Sequence, residues 1–207
     1  FHLTEYFAPV LGVMVAEDLE EALEIVNRVE FGLTSGIHSL DPEEIYYWLE
    51  RVQAGNLYVN RSTTGAIVRR QPFGGWKRSA IGPGTKAGGP NYLLGFGHVA
   101  AIPGESPDAP RSPKLSATSP RVRPLLRAAK SHIDKAEWRR LRRSAASDAA
   151  MLDARYGRAV DATGLASEMN LPRYRPLPVT VRAAEGAELA DVVRVMDVLA
   201  ALLPAIV

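Results

Sequence analysis

Across residues 10–60 the hydrophobic pattern switches repeatedly between the period of a strand and that of a helix, and this alternation constrains the fold most. Val10-Leu11-Gly12-Val13-Met14-Val15 is a continuous apolar run, as expected of a strand buried on both faces. Asp18 then opens a helical pattern with Leu19, Ala22, Leu23, Val26 and Val29 on one stripe. Asp18 and Glu21 have the spacing of a capping box, and Gly32 is expected to supply a left-handed stop. Residues 34–40 read as a second strand. Asp41-Pro42-Glu43-Glu44 is a helix start with a cap, a proline at the first helical position and acid in the first turn. Ile45, Trp48, Leu49 and Val52 form that helix's stripe, Gly55 is expected to stop it, and residues 57–60 form a third strand. Strand, helix, strand, helix, strand with short connections gives a parallel βαβαβ sheet and an α/β domain. A ferredoxin-like unit is the competing arrangement, disfavoured by the short gaps.

Composition narrows the chemistry. A chain of 207 residues, 46% hydrophobic and 23% charged, can bury a core. It has no cysteine, which excludes a disulfide framework, a thiolate metal site and a cysteine nucleophile of its own. His2, His38, His98 and His132 are scattered singly and no metal-ligand spacing occurs, so no metal is expected. The net charge of +2 hides an uneven distribution: 11 Lys and Arg stand against 4 Asp and Glu between Arg121 and Arg158. No stretch approaches the roughly 18 consecutive apolar residues of a membrane helix. No signal peptide is visible, so a cytoplasmic chain is the expectation, and Asn60-Arg61-Ser62 reads as a chance glycosylation sequon.

Residues 61–98 lose periodicity and become rich in Gly and polar residues, although Ile67, Val68, Phe73, Trp76, Ile81, Tyr92 and Leu93 suggest a packed loop. Residues 103–120 carry Pro103, Pro107, Pro110, Pro113 and Pro120 and read as a linker. Beyond it come a basic helical segment through Leu126, Ile133 and Leu141, a strand at residues 179–181 and an apolar helix over residues 189–203. The expected boundaries are therefore 1–102, a linker at 103–120, and an incomplete α/β accessory region at 121–207.

The glycines of the loop let backbone amides approach an anion closely, or serve only to pack the loop. Generic phosphate motifs fail: Thr85-Lys86 follows Gly84 in the wrong order for a P-loop, and Gly82/Gly84 does not extend to GxGxxG. Arg69 and Arg70 read as surface charges. The basic segment 121–158, with Arg139-Arg140-Leu141-Arg142-Arg143 behind Trp138, offers a nucleic-acid or anion surface, against the plainer reading of a solvated helix face.

Specific motifs then give the chain a resemblance. Glu5-Tyr6-Phe7-Ala8-Pro9-Val10 resembles the E-x-F-G-P-V signature of aldehyde dehydrogenases. Gly55 to Arg61, Thr64-Gly65-Ala66, Gln71-Pro72-Phe73-Gly74-Gly75 and Lys86-Ala87-Gly88-Gly89-Pro90 resemble one branch of that superfamily, the L-glutamate γ-semialdehyde (1-pyrroline-5-carboxylate) dehydrogenases. These occur alone or fused behind a proline dehydrogenase in the bifunctional proline utilization A proteins. Gly164-Leu165, Glu168, Asn170 and Arg173 to Pro178 resemble the region behind the dehydrogenase domain in the long members of that group.

The resemblance implies NAD-dependent oxidation of glutamate semialdehyde to glutamate, the second step of proline catabolism. It implies FAD only for a fused proline dehydrogenase domain outside this chain. Glu5 falls on the ribose ligand and Phe7 on the residue beside the nicotinamide, with Ala8 departing from the family's Gly. Gly65 and Ala66 fall on the loop whose amides hold the substrate's α-carboxylate, and Phe73 on the aromatic wall beside its aliphatic chain. The family's nucleophilic Cys, its general-base Glu and its cofactor domain fall N-terminal to this region, so no catalytic residue is expected here and the chain alone is expected to be inactive. The implied partners are the semialdehyde and the remainder of the dehydrogenase polypeptide, in a homo-oligomer when complete, with no nucleic acid. A non-catalytic assembly piece of such an enzyme is the alternative.

Overall fold

The computed structural model describes residues 2–67, 70–81, 85–98, 100, 113–176 and 179–202. Arg69, residues 82–84 and the linker residues 103–112 lie outside them. The chain divides into two compact units, residues 1–100 and 101–207.

In the first unit both expected helices form where their caps place them. Helix α1 (Leu19–Asn27) starts at Asp18, whose carboxylate accepts the Glu21 amide at 2.9 Å, while Glu21 reaches back to the Glu17 amide. Helix α2 (Pro42–Arg51) starts at Asp41, which accepts the Glu43 amide at 2.8 Å. Strands β1 (Phe31–Gly32) and β2 (Thr34–Ile37) lie between the helices, and β3 (Asn56–Val59) and β4 (Trp76–Lys77) follow α2. β2 and β3 run parallel in register from Thr34 opposite Asn56 to Ile37 opposite Val59, with α2 as the crossover. β1 pairs antiparallel with β4. Leu23, Trp48 and Val52 are buried, with Ile37, Leu57 and Val59 packed against them. Complete burial of a side chain such as Val52 contributes about 1.5–3 kcal/mol.

Several local expectations are corrected. Residues 10–15 form no strand and have no ladder partner among the described residues, and Leu11, Val13 and Val15 are mostly exposed. A strand needs a neighbour to accept and donate its ladder bonds, and apolar content alone does not provide one. Gly32 and Gly55 are not helix stops, because neither has a positive φ and the helices end earlier, at Asn27 and Arg51. Both are close-approach glycines: a Cβ on Gly32 would lie 2.4 Å from the Gln53 carbonyl oxygen, and one on Gly55 would lie 2.0 Å from that of Gly74. The end of α1 is closed instead by Lys77, whose Nζ donates to the carbonyls of Asn27 and Val29. Ile81 and Leu93 stay exposed, so the packing of the loop rests on other residues.

The second unit is helical among the described residues. Helices α3 (Arg123–Ala129), α4 (Lys135–Met151) and α5 (Leu189–Leu202) bury Val122, Leu126, Leu141, Ala145, Ala190 and Val193 between them. The basic segment is thus two helices, and Asp134 caps the second by accepting the Ala136 and Glu137 amides. Residues 113–120, expected as linker, pack onto this unit through a short 3-10 turn at Leu115–Ala117 and a buried Thr118. Residues 179–181, expected as a strand, pair with no strand among the described residues. Asp161 organises the Gly164 to Asn170 stretch, accepting from the Thr163 amide and hydroxyl and from the Asn170 amide. No helix among the described residues is long and apolar enough to cross a membrane.

Candidate functional site

Strand β3 is the element from which the candidate site is built. At its C-terminal end Asn60 takes a left-handed φ of 54° and ties β3 to the end of β2, with its side chain accepting the Ser39 amide and donating to the Ser39 carbonyl. Asn and Gly tolerate that conformation best, and here it turns the chain out of the sheet. Ser62 and Thr64 then bond each other at 2.8 Å, and the backbone turns again at Gly65, where φ is 78°. A Cβ at Gly65 would meet nothing within 4 Å. Gly65 and Ala66 are exposed, and their amides have no hydrogen-bond partner among the described residues. Two successive free amides on a small-residue turn are a place where an anion can come within hydrogen-bond distance of the main chain.

The N-terminal end of β3 carries a second structure, the strap around Phe73. Phe73 and Ala87 exchange both backbone hydrogen bonds, at 3.0 and 2.9 Å. The next carbonyl, that of Gly74, accepts from Asn56 Nδ2 at 3.2 Å and from Lys86 Nζ at 2.5 Å, and Lys86 also donates to the Gly55 carbonyl at 2.6 Å. Burial lowers the Lys86 ammonium to about 8, since two carbonyl dipoles replace its water shell only in part. Midway along the strand the buried Tyr58 accepts a bond from Gln71. The two halves of the loop are thus anchored to opposite ends of one strand.

Of the five residues expected to bind ligands, Gly65, Ala66 and Phe73 depend on β3 for their placement. Phe73 is half-buried. Glu5 and Phe7 lie on a different, exposed segment, where Phe7 is 97% exposed. No hydrogen bond among the described residues engages the Glu5 carboxylate, so both groups are open to a ligand. A cavity of about 210 Å³ lined by His2, Met14, Val26 and Phe31 borders none of the five. Arg70 is exposed.

Sequence reasoning missed the holders of the site: Lys86, Asn56, Gln71 and Tyr58. The visible signal was a single lysine within a run of small residues, Thr85-Lys86-Ala87-Gly88-Gly89. A cation there has few side-chain partners and turns to carbonyls. In the basic segment, part of the charge is spent internally, Arg140 pairing with Glu137 and Asp191.

The family model described as the aldehyde dehydrogenase family matches residues 1–102. A 1-pyrroline-5-carboxylate dehydrogenase from Geobacillus sp. (strain WCH70) is 47% identical over 90 residues, covering 44% of this chain and 17% of that protein. A bifunctional protein PutA from Rhizobium meliloti is 42% identical over 113 residues, covering 54% of this chain and 9% of that protein. The structure of proline utilization A from Corynebacterium freiburgense matches 85% of this chain and 16% of its own with a TM-score of 0.69 and 44% identity. The chain therefore spans less than a fifth of the length of each of these relatives.

Proposed function

We propose, from the match of residues 1–102 to the aldehyde dehydrogenase family, that the chain supplies the substrate-carboxylate anchor and one wall of the nicotinamide site of an NAD-dependent L-glutamate γ-semialdehyde dehydrogenase. The names of the relatives support the proline-catabolic branch. The observation that carries the anchor is the pair of amides at Gly65 and Ala66, without a partner among the described residues, on an open left-handed turn. Such a turn holds a carboxylate without a charged side chain, and the small residues let the backbone come close. Phe73, fixed by its bridge to Ala87, offers a flat apolar face to the chain between the carboxylate and the aldehyde.

An open Glu5 carboxylate and an exposed Phe7 ring suit a ribose diol and a flat nicotinamide, so the residues present fit NAD. When bound, NAD supplies the hydride acceptor of the oxidation. The residues of this chain bind and orient: the amides fix one end of the substrate, Phe73 excludes water along its methylenes, and Glu5 with Phe7 sets the cofactor ring. With no cysteine in the chain, the attacking thiolate comes from elsewhere in the dehydrogenase polypeptide. The second unit belongs to the same larger polypeptide, a reading supported by the 85% coverage against proline utilization A.

The test is a chimera in which residues 1–98 replace the matching segment of the Geobacillus enzyme. It is expected to form NADH from glutamate semialdehyde, and its A66D variant to lose apparent affinity for the substrate with NAD binding retained. The 207-residue chain alone is expected to form none. A folded chimera that oxidises short aliphatic aldehydes and ignores the semialdehyde would overturn the assignment of the anchor.

A further inference from the structure

The core of the second unit contains one group that does not belong in an apolar core. Along α5, the residues facing α3 and α4 recur at helical spacing: Ala190, Val193, Asp197 and Ala201. Three are apolar; the fourth is an aspartate 1% exposed, and neither of its carboxylate oxygens has a hydrogen-bond partner among the described residues. The nearest cation on its own helix, Arg194, is committed to Asp148 of α4 through two bonds, at 2.7 and 3.2 Å. A second carboxylate therefore stands near Asp197 and holds the cation that could have neutralised it. Of the other charged groups on the packed elements, Arg142 of α4 lies over the Trp138 ring. On α3, Arg123 donates to the Ser116 and Thr118 carbonyls and Arg127 is exposed.

An ionised carboxylate in such a place is strongly disfavoured, and a group so placed keeps its proton instead. We propose that Asp197 is a proton-dependent lock on the second unit: protonated, it lets α5 pack against α3 and α4, and its ionisation loosens α5 from them. Burial is the largest influence on this carboxyl and pushes it up to about 7; Arg194 pulls it down and Asp148 pushes it up. The transition therefore falls within the range of ordinary cellular pH. The folded-state value lies above the ordinary 3.8, so stability is greatest at low pH, declines as pH rises from about 4, and levels off above about 7.

The full 207-residue chain serves for the test. Carboxyl-carbon NMR is expected to show Asp197 titrating near neutral pH. Hydrogen exchange of α5 amides, corrected for intrinsic rates, is expected to quicken by at least about tenfold between pH 5.5 and 8.5, and to lose that dependence in D197N. In D148N the Arg194 guanidinium becomes available to Asp197, and the titration is expected to move down by more than one pH unit. A midpoint near 4 in the wild type would overturn the proposal even if D197N failed to fold, and so would α5 exchange whose pH dependence persists in D197N.

Discussion

The close contact between Gly55 and the Phe73 strap makes G55A a sharp test of how β3 holds the site. The added Cβ would lie 2.0 Å from the Gly74 oxygen, 2.7 Å from Gly75 Cα and 2.9 Å from Gly74 C, all backbone atoms. Gly55 cannot retreat, because its amide donates to the Gly32 carbonyl at 2.9 Å and the Asn56 amide to that of Leu33 at 3.0 Å. The strap must move away instead, giving up the bonds of Asn56 and Lys86 to the Gly74 carbonyl. Overpacking of this kind costs about 1–3 kcal/mol, and the two bonds, one of them from a cation, add about 2–4 kcal/mol. A loss of about 3–7 kcal/mol is expected, read as a fall in the urea midpoint of the first unit followed by tryptophan fluorescence, since Trp76 lies on β4 beside the strap. G95A is the control, because a Cβ there meets nothing within 4 Å. If G55A unfolds within about 1 kcal/mol of the wild type, the strap is not packed against β3 and the reasoning fails.

Two further predictions use the same chain. K86M is expected to remove part of the pH dependence of stability between pH 7.5 and 9.5. The folded-state value of Lys86 lies below its ordinary 10.5, so the unfolded chain binds the proton more tightly and the wild type gains stability as pH rises above about 8. Lys77 is shifted in the same direction, so the difference between wild type and variant is the quantity to read. D134A removes the acceptor of two amides at the start of α4 and is expected to cost about 1 kcal/mol, or up to ~2, seen as an earlier loss of helical circular dichroism on heating.

How much of this was legible in the sequence follows from how local each determinant is. The starts of α1 and α2 were legible because Asp18, Asp41 and Pro42 act within one turn. The parallel pairing of β2 with β3 followed from a short strand, helix, strand alternation. The roles of Gly32 and Gly55 were misread because a helix stop and a close backbone approach both favour glycine, and only the partner, Gln53 or Gly74, tells them apart. Residues 10–15 were expected as a strand because apolar content reports burial preference and says nothing of where a ladder partner lies. Gly65 and Ala66 were found through motif resemblance; their open turn and free amides depend on φ at one residue, which no composition rule supplies. The roles of Lys86 and Asp197 are not legible in the sequence, because each is a single charge whose meaning comes from long-range packing.

The claim that the turn at Gly65 receives the α-carboxylate of an amino-acid aldehyde is tested most directly by ligand titration followed through the Gly65 and Ala66 amide resonances. L-norvaline carries the α-amino acid head and an aliphatic chain, and butylamine has the chain and amine without the carboxylate. Saturable shifts at Gly65 and Ala66 with norvaline, absent with butylamine and lost in A66D, are the predicted result. Equal shifts with both ligands, or norvaline shifts that leave residues 65 and 66 unmoved, would contradict it.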